Sequence, residues 1–267
     1  MSTETAFEGV LRQIDDSVSF EPGYYNESYL DRRITARMRR CDTDFHAEYE
    51  RLLRDDEDER QALMDALTIN VTEFFRNPEM WDVLREVLRE RTAEQRRVRV
   101  WSAPSADGRE PYSVAMLACD DPEIDESRID ILGSDISEEA LENARTGEYH
   151  TTRTTDIADE LDPLSDPDRY VDRTDDTFQV RPAVQRLVDF ETHDLISDGA
   201  RDPFDVVLCR NLLIYIDADH KGAMFDTLEA SLAEDGVLVL GMTESIPPDR
   251  TDRYEAVDKR RRVYRRP

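Results

Sequence analysis

The stretch FDVVLCRNLLIY, from Phe204 to Tyr215, decides the fold that we expect for this chain. An apolar run, as in a buried strand, leads without a break into the polar pair Arg210 and Asn211. In open α/β sheets, ligands bind in the crevice beyond the carboxyl ends of the strands. The stretch therefore predicts a strand of such a sheet, with Arg210, Asn211 and Tyr215 placed to contact a ligand.

Apolar runs elsewhere in the sequence predict more strands, with helical patterns between them. Strands are predicted at residues 98–101, 129–133 and 236–240, and helices at residues 112–119, 138–144 and 221–232. Alternating strands and helices indicate a parallel, doubly wound α/β sheet. The end of the chain predicts a closing hairpin at residues 254–257 and 262–264, whose basic residues would keep an edge strand soluble.

The sequence before this α/β region predicts a small helical domain. Leu30, Ile34 and Met38 recur at helical spacing, as do other apolar residues between them and residue 69. We therefore divide the chain into a helical domain at residues 1–69 and an α/β domain at residues 70–267.

Residues 146–191 interrupt the alternation of strands and helices. They are polar, rich in Asp and Thr, and contain three prolines, Pro163, Pro167 and Pro182. This composition predicts a β-rich insertion in the α/β domain, with residues 178–180 and 187–190 as two of its strands.

The composition of the chain is strongly acidic. With 62 acidic and 35 basic residues, the net charge is -27, and nearly all the basic residues are arginines. This balance resembles that of proteins from a halophilic cytosol, where surface carboxylates keep a protein hydrated. Because so acidic a chain repels phosphates, we do not expect a nucleic acid substrate.

Cysteines and histidines give no sign of a metal site. The three cysteines and four histidines are scattered singly, without the spacing of a zinc site or a disulfide framework, and we assign no metal. The first ten residues lack the pattern of a signal peptide, and no segment has the roughly 20 apolar residues of a membrane span. We therefore expect a cytoplasmic protein.

Five arginines crowd one short predicted helix of this acidic protein, namely Arg32, Arg33, Arg37, Arg39 and Arg40. Three of them share a face of the helix at positions i, i+4 and i+7. They have two explanations: they pair with carboxylates of the protein itself, or they form a docking face for an acidic partner.

A turn of small residues, SAPSADGREPYS from Ser102 to Ser113, follows the strand predicted at residues 98–101. Such a turn lets the backbone approach a ligand closely, but it lacks the glycine spacing of dinucleotide sites and of P-loops. The next strand leads to Asp135, and an acidic residue at this position is suited to hold a ribose diol. Taken alone, Asp135 is also a candidate N-cap of the helix that follows. The preceding turn favours the nucleoside interpretation.

Five blocks of sequence resemble the CheR-type chemotaxis receptor methyltransferases, which methylate glutamate side chains with S-adenosylmethionine. The blocks are NVTEFFR, VRVWSA with GREPYS, LGSDISEEALENARTGEY, FDVVLCRNLLIYID and DGVLVLGMTES, in family order from Asn70 to Ser245. The resemblance implies a Rossmann-like S-adenosylmethionine-dependent methyltransferase sheet behind an N-terminal all-helical domain. It also implies S-adenosylmethionine as cofactor, S-adenosylhomocysteine as product, and methyl-accepting chemotaxis receptors as partners.

The resemblance also assigns roles to residues at matching positions. In the family, the Asn, Thr and Arg of the NxTxFFR block contact the cofactor, and they correspond here to Asn70, Thr72 and Arg76. By the same matching, Glu110 would hold the amino group of the cofactor and Asp135 its ribose. Arg210 and Asn211 would line the pocket opposite these two carboxylates.

The chain departs from the family pattern at two places in the implied pocket. An Asn-Leu pair of the family corresponds here to Asp194 and Leu195, and an aspartate can accept but not donate a hydrogen bond at the adenine edge. The turn after the first strand also differs, because the usual residues are replaced by Pro104, Ser105, Asp107 and Arg109. These changes bear on how tightly the cofactor is held.

The implied reaction is the attack of a glutamate carboxylate on the methyl carbon of a sulfonium. The carboxylate is already ionised at pH 7, so no general base is required, and the rate would come from alignment and removal of water. Tyr215 is our candidate for orienting the carboxylate, and Arg76 is a second candidate for meeting the substrate. A core tyrosine and a structural ion pair are the alternative explanations of these two residues.

The resemblance makes the basic helix the part that faces the acidic helical methylation region of a receptor. Many family members also hold a receptor tail peptide through a glycine-containing loop of the β-rich insertion. Here the matching loop, DRTDDTF from Asp172 to Phe178, is short and has no glycine. We therefore expect no tail-peptide tether, and we expect no insertion into the membrane.

Two other functions stay open at this point. A binding module with the same fold and cofactor pocket, but without methyl transfer, would account for Asp194 and the altered turn. Arg76, Asn211 and Tyr215 argue against it, because all three match the family. A methyltransferase for small molecules or nucleic acid would need an Asn-Pro-Pro-Tyr-like strand end or a basic cleft, and the sequence shows neither.

Overall fold

The computed structural model describes residue 7 and residues 9–13, 21–67, 72–153 and 155–267. The chain forms two compact units, which we describe separately. The first comprises Met1–Asn70 together with Tyr215–Gly222, and the second comprises Val71–Ile214 together with Ala223–Pro267. The segment Tyr215–Gly222 thus groups with the helical residues, although the sequence predicts it within the α/β domain.

The described part of the first unit is helical, as predicted. Residues 9–13 are helical, followed by α1 (Glu27–Arg40), α2 (His46–Asp55) and α3 (Glu57–Leu67). Leu30, Ile34 and Met38 lie on one face of α1 and are buried, as their spacing requires. The carboxylate of Asp56 accepts a hydrogen bond from the Glu59 amide at 3.0 Å, which satisfies a free donor at the start of α3.

The second unit is built around a sheet of seven strands in the described residues. In spatial order they are β6 (Val188–Thr192), β2 (Ile129–Asp135), β1 (Val98–Ser102), β7 (Phe204–Cys209), β8 (Leu232–Leu240), β10 (Val263–Arg265) and β9 (Glu255–Asp258). The first five are parallel, and the last two form an antiparallel hairpin at the edge. The order of the parallel strands reverses between β1 and β7, which makes this point the expected ligand crevice.

Both faces of the central strands are buried. On one face, Val100 of β1 and Val206 of β7 join the main apolar core of the second unit. On the other face, Trp101 and Val207 are fully buried. A strand covered on both faces needs a nearly continuous apolar sequence, which is the property that made β7 recognisable.

Helices connect the strands, and the predicted parallel α/β sheet is confirmed. They are α4 (Pro78–Glu94), α5 (Arg109–Asp120), α6 (Glu138–Thr146), the short α7 (Ile157–Glu160) and α8 (Pro182–Gln185), and α9 (Ala218–Ala230). Trp81, Leu84 and Leu88 of α4 are buried. The helix predicted at residues 221–232 ends earlier, because Leu232 already pairs with Phe204 at the start of β8.

A separate antiparallel sheet lies within the predicted insertion. Among the described residues it has three strands, in the order β3 (Glu148–His150), β5 (Thr177–Val180) and β4 (Val171–Thr174). The prediction that residues 187–190 form a strand of this insertion is wrong in its pairing. The strand exists, but as β6 it pairs with β2 of the main sheet, with Asp189 opposite Leu132. The β-rich insertion therefore ends before β6.

The closing hairpin of β9 and β10 is present as predicted, and β9 is the edge strand. Its basic residues also make contacts inside the second unit. Arg265 forms an ion pair with Glu90 at 2.7 Å, and Arg262 donates a hydrogen bond to the carbonyl of Met242 at 3.3 Å. The basic run thus fastens the hairpin to its neighbours in addition to keeping the edge charged.

Candidate functional site

The carboxyl ends of β1, β2 and β7 meet where the strand order reverses. Ser102, the last residue of β1, lies opposite Gly133 on one side and Leu208 on the other. Asp135 ends β2, and Arg210 directly follows β7. The polar residues singled out by the sequence are therefore collected at one edge of the sheet, at its switch point.

The turn between β1 and α5 follows the end of the sheet closely. The amide of Ser105 donates a hydrogen bond to the carbonyl of Ser134 at 2.8 Å. Gly108 has a φ of +87°, and a Cβ at this position would lie 2.7 Å from the Cβ of Ala144. Only glycine fits here, at the residue that directly precedes α5.

Asp135 is buried at the end of β2, with 7% of its surface exposed. Its two carboxylate oxygens accept hydrogen bonds from the amides of Ala106 at 2.9 Å and Ser137 at 3.0 Å. Burial raises its pKa, although these hydrogen bonds oppose the rise. The N-cap of α6 is Ser137, whose hydroxyl accepts from the Ala140 amide, so the alternative that Asp135 is the N-cap is wrong. Because a carboxylate offers about four lone-pair sites, Asp135 can still accept from a ribose hydroxyl.

Glu110 lies in the first turn of α5 and is 7% exposed. One carboxylate oxygen accepts from the Ser102 hydroxyl at 2.8 Å, and the other accepts from Nη1 of Arg210, also at 2.8 Å. The sequence predicts Arg210 on the far side of a pocket from Glu110, whereas the structure joins the two in a buried ion pair. Because a carboxylate offers about four lone-pair sites, Glu110 can still accept from an ammonium group.

Arg210 also holds the segment that precedes α4. Its Nη2 donates to the carbonyl of Arg76 at 2.9 Å and to Oδ1 of Asn77 at 2.8 Å. Phe75 and Asn77 have φ values of +48° and +61°, a backbone conformation that side chains other than glycine rarely adopt. The guanidinium therefore fixes an unusual corner of the chain, and Asn77 is a site residue that the sequence did not indicate.

Arg76 borders an open cavity of the second unit. The residue is half-buried, and the cavity is also lined by Asp156 and Glu160 near α7. Arg76 therefore lies at the wall of this cavity, and its contact with a substrate stays a prediction.

Of the two other residues predicted in this segment, Asn70 lies outside the described residues, and Thr72 is half-buried. The carbonyl of Thr72 accepts a hydrogen bond from Nη1 of Arg109 at 2.9 Å. Arg109 also forms ion pairs with Asp107 at 3.0 Å and Glu160 at 3.5 Å. Arg109, a departure from the family pattern, thus ties the Thr72 backbone to the turn after β1.

Glu244 is a site residue that the sequence reasoning missed. It is 3% exposed, and its Oε2 accepts from the amides of Asn211 at 2.9 Å and Gly241 at 2.7 Å. Asn211 has a φ of +62°, so this carboxylate stabilises a left-handed turn directly after β7. Burial raises the pKa of Glu244 in spite of these hydrogen bonds. The sequence did offer a signal for this residue. Glu244 is an acidic residue three positions after Gly241, the glycine that follows the apolar strand β8.

Asp194 and Leu195 follow β6 in the main sheet. The carboxylate of Asp194 accepts a hydrogen bond from the Ile196 amide at 2.7 Å, and the Asp194 amide donates to Asp198 at 2.8 Å. Leu195 is 5% exposed. Asp194 therefore closes a turn at the end of the strand, and its contact with an adenine stays a prediction.

Tyr215 belongs to the first unit. Its ring centroid lies 4.8 Å from that of Tyr29, and its carbonyl accepts a hydrogen bond from the Asn26 amide at 2.9 Å. The residue is half-buried, whereas a core tyrosine would be enclosed. Its role in orienting a carboxylate stays a prediction.

Arg37 differs from the other arginines of α1, because it pairs with a carboxylate of the protein itself. Its guanidinium forms an ion pair with Glu59, which also accepts from the Tyr49 hydroxyl at 2.6 Å. Burial would raise the pKa of Glu59, but the hydrogen bonds from Arg37 and Tyr49 outweigh it and hold the pKa below its ordinary value. For Arg37, the structural explanation of the basic cluster is therefore correct.

Three of the remaining four arginines of α1 lie on the surface. Arg32, Arg39 and Arg40 are exposed, and they pair with no carboxylate among the described residues. The guanidinium carbons of Arg32 and Arg33 lie 5.8 Å and 5.4 Å from the centroid of the Tyr29 ring. These distances allow cation–π contacts with Tyr29. Arg33 is half-buried, whereas Arg32 is exposed.

Histidines and cysteines form no metal site in the part of the chain that the structure describes, where no group of three or more His, Cys, Asp and Glu side chains is arranged to hold an ion. His193 is buried rather than on the surface, with 4% exposed. Its Nε2 lies 3.0 Å from the carbonyl of Gly199, and its ring packs edge-on against Trp101. His193 therefore serves the packing of the sheet.

The residues at the switch point fit a nucleoside that carries an amino acid. Asp135 can accept from ribose hydroxyls, and Glu110 can accept from an ammonium group. The hydroxyl of Ser105 is buried and has no partner among the described residues. A buried hydroxyl without a partner costs free energy unless a bound group uses it. Two carboxylate acceptors and an unpartnered hydroxyl at one edge of the sheet thus suit S-adenosylmethionine.

Two family models match the chain. The one described as CheR methyltransferase, SAM binding domain, matches residues 70–263, and the one described as CheR methyltransferase, all-alpha domain, matches residues 5–68. The two matches follow one another along nearly the whole sequence.

Several curated proteins are similar over most of their length. The chain is 31% identical to a chemotaxis protein methyltransferase of Listeria monocytogenes over 88% of each chain. It is 35% identical to chemotaxis protein methyltransferase 1 of Vibrio cholerae over 77% of each chain. It is 32% identical to the chemotaxis protein methyltransferase of Escherichia coli over 80% of this chain and 74% of the relative.

Proposed function

The chain belongs to the CheR methyltransferase family, and we propose that it methylates glutamate side chains of methyl-accepting chemotaxis receptors. It is an S-adenosylmethionine-dependent methyltransferase of chemotaxis. The glutamate acceptor, the 5-O-methyl ester as product and the cytoplasm as place of action are the proposed parts.

Two buried carboxylates at the switch point support the proposal most strongly. Glu110 is aimed by Ser102 and Arg210, and Asp135 is aimed by the amides of Ala106 and Ser137. The charge of each buried carboxylate is compensated by these contacts, and each carboxylate still offers a lone pair to a bound group. Ammonium and ribose hydroxyl donors are the groups that such acceptors suit.

The residues that would hold the cofactor lie in five segments of the chain. When bound, S-adenosylmethionine supplies a methyl carbon that is electrophilic because the neighbouring sulfur is positive. We assign the amino group to Glu110, the ribose to Asp135, and the adenine end to Asp194 and Leu195. Further contacts come from Asn70, Thr72, Arg76, Arg210 and Asn211.

The protein's task in the transfer is to align and desolvate a carboxylate. The incoming glutamate is ionised at pH 7, so no residue has to remove a proton. We assign its orientation to the hydroxyl of Tyr215, with Arg76 as the second group that meets the substrate. Positioning of this kind contributes several kcal/mol, roughly 7–11 at its best.

The basic helix α1 is the proposed docking face for the acidic helical methylation region of the receptor. Arg32, Arg39 and Arg40 support this role because they are exposed and unpaired among the described residues. Opposite charges across such a surface speed association and select the partner. No helix within the described ranges has both the length and the apolar character to cross a membrane.

We also propose that the protein works without a tail-peptide tether. In the three-stranded sheet, β4 ends at Thr174 and β5 begins at Thr177, so only two residues connect them. A turn this short offers little surface to a peptide.

The proposal is tested by transfer of labelled methyl groups from S-adenosylmethionine to membranes that contain chemoreceptors, in high potassium chloride. Mild alkali is then added to release methanol. Label on the receptors that alkali removes supports a glutamate methyl ester. Cofactor binding without any label would instead favour the inactive binding module, which the names of the relatives do not favour.

A further inference from the structure

Tyr215 is held by the helical unit although it follows β7 of the sheet in sequence. The segment Tyr215–Gly222 groups with Met1–Asn70 and not with the strands on either side of it. The candidate catalytic residue is therefore placed by contacts with helical residues.

The backbone around Tyr215 is fixed by the residues just before α1. The Asn26 amide donates to the carbonyl of Tyr215 at 2.9 Å, and the Asp217 amide donates to the carbonyl of Tyr24 at 2.9 Å. Between them, Tyr25 and Ile216 form an antiparallel bridge. Residues 24–26 thus hold residues 215–217 through two backbone hydrogen bonds and an isolated bridge.

The side chain of Tyr215 rests on Tyr29. The two ring centroids are 4.8 Å apart at an interplanar angle of 51°, a favourable distance for an aromatic pair. Tyr29 is itself immobilised, since it is 3% exposed and its hydroxyl donates to the carbonyl of Leu67 at 2.8 Å. A fixed ring beneath a half-buried tyrosine restricts where the Tyr215 hydroxyl can point.

Two arginines of α1 lie close to the ring of Tyr29. Arg33 and Arg32 lie 5.4 Å and 5.8 Å from the centroid of Tyr29. Tyr29 therefore contacts Tyr215 as well as Arg32 and Arg33 of α1.

We propose that Tyr29 is a positioning residue for methyl transfer, which holds the Tyr215 ring in its working orientation with the help of the Asn26 amide. The inference rests on the proposed function, because it assumes that the hydroxyl of Tyr215 orients the receptor carboxylate. Tyr29 touches neither cofactor nor substrate in this proposal and acts only through Tyr215.

The first test compares Tyr29→Leu, Tyr29→Phe and Tyr49→Leu in the full chain, with labelled methyl transfer to receptor membranes. Tyr49 is also buried in the first unit, and its hydroxyl is bonded to Glu59, so Tyr49→Leu controls for loss of a buried tyrosine. We expect Tyr29→Leu to lower kcat about 10- to 100-fold, the cost of a displacement near 1 Å. Tyr29→Phe keeps the ring but loses the hydrogen bond to Leu67, so its kcat should fall between those of Tyr29→Leu and wild type, and Tyr49→Leu should retain kcat per folded molecule.

Comparing the effect of Tyr29→Leu on kcat with its effect on cofactor affinity distinguishes a positioning role from a structural one. Tyr29→Leu should leave the affinity for S-adenosylmethionine, measured by calorimetry, within about threefold of wild type, since uniform loss of binding would change KM and not kcat. If Tyr29→Leu and Tyr49→Leu lower activity only in proportion to the unfolded fraction, the inference is overturned.

The second test does not remove a buried ring. Asn26 has a φ of -58°, which proline adopts, and Tyr25 before it is extended, so Asn26→Pro deletes the amide donor with little strain. Asn26→Ala controls for the side chain. We expect Asn26→Pro to lower kcat severalfold relative to Asn26→Ala, and equal kcat for the two would count against the inference.

Tyr215→Phe, measured alongside, separates the inference from the function on which it rests. This variant keeps the ring but lacks the hydroxyl. Wild-type kcat for Tyr215→Phe would remove the proposed role of Tyr215 and the inference with it. A low kcat for Tyr215→Phe together with a wild-type kcat for Tyr29→Leu would overturn the inference alone.

Discussion

Arg210 and Glu110, 100 residues apart in sequence, form an ion pair of 2.8 Å in which both side chains are nearly inaccessible to solvent. The pair joins the end of β7 to the first turn of α5. Through its other amino group, Arg210 also bonds Arg76 and Asn77. One guanidinium thus connects three of the segments assigned to the cofactor.

Breaking this pair should be costly. Removing one partner of a buried ion pair typically costs about 3–5 kcal/mol, because the other charge stays buried without compensation. We expect Arg210→Ala to lower the free energy of unfolding in urea by that amount. The variant should also bind S-adenosylmethionine more weakly in calorimetry. The control is Arg97→Ala, since Arg97 forms an exposed pair with Asp130 and should lose no more than about 1 kcal/mol. Equal losses for the two variants would show that the buried pair is not structural.

Glu244 should stabilise the turn after β7 through its oxygen acceptor. Glu244→Ala leaves the amides of Asn211 and Gly241 without their partner, and each buried unsatisfied group costs about 1–3 kcal/mol. Glu244→Gln keeps one carbonyl oxygen as an acceptor. Its free energy of unfolding in urea should therefore fall less than that of Glu244→Ala. The exposed Glu234 provides the control, and Glu234→Ala should change the free energy of unfolding by no more than about 0.5 kcal/mol. A loss for Glu244→Gln as large as for Glu244→Ala would contradict the acceptor role.

Arginines of α1 should separate into docking and structural residues. The triple change of Arg32, Arg39 and Arg40 to alanine should raise KM for receptor membranes about tenfold, if each exposed charge contributes about 0.5 kcal/mol. Its melting temperature should stay close to wild type. Arg37→Ala should instead lower the melting temperature, because it leaves Glu59 without its ion pair. The control is Arg96→Ala, a change at an exposed arginine outside α1, which should alter neither KM nor the melting temperature. The docking proposal fails if the triple variant has an unchanged KM.

Acid should destabilise the protein partly through Glu59. Its pKa in the folded state lies below the ordinary 4.5, so the folded state favours its ionised form. The stabilisation is fully present above 4.5 and is lost as the pH falls through the lower folded pKa. We expect Glu59→Gln to be less stable than wild type at pH 7, with the difference shrinking in acid. Urea titrations across that range measure it, and a difference independent of pH would exclude this role.

A receptor tail peptide should not bind measurably. The turn between β4 and β5 is too short to hold an extended peptide, and we expect no heat of binding in calorimetry at peptide concentrations up to about 1 mM, the limit of weak recognition. A scrambled peptide of the same composition is the control. Saturable binding of the native peptide alone would show that a tether exists.

Much of the fold was predictable from the chain because its main signals are local. The apolar run of β7 and the spacing of Leu30, Ile34 and Met38 each depend on neighbours within a few residues. The assignment of residues 187–190 to the insertion failed because strand pairing is not local. β6 joins β2 across more than forty residues, and nothing in either sequence names its partner.

The candidate site was predictable in its residues but not in its contacts. Glu110, Asp135 and Arg210 were all indicated, yet the direct pairing of Glu110 with Arg210 depends on the order of strands around β1. Glu244 was missed because it accepts hydrogen bonds from backbone amides, and its place after β8 alone does not say which amides it meets. The left-handed turn at Asn211 that requires it becomes visible only in the folded chain.

The grouping of Tyr215–Gly222 with the helices limits how the polypeptide can be divided into separate pieces. The polypeptide passes between the two units three times, near residues 70, 214 and 222. A gene fragment encoding residues 70–267 would carry Ile216 and its neighbours away from residues 24–26, which cover them. A cut at residue 70 therefore does not separate the two units, because the loop after β7 would lose its pairing partners.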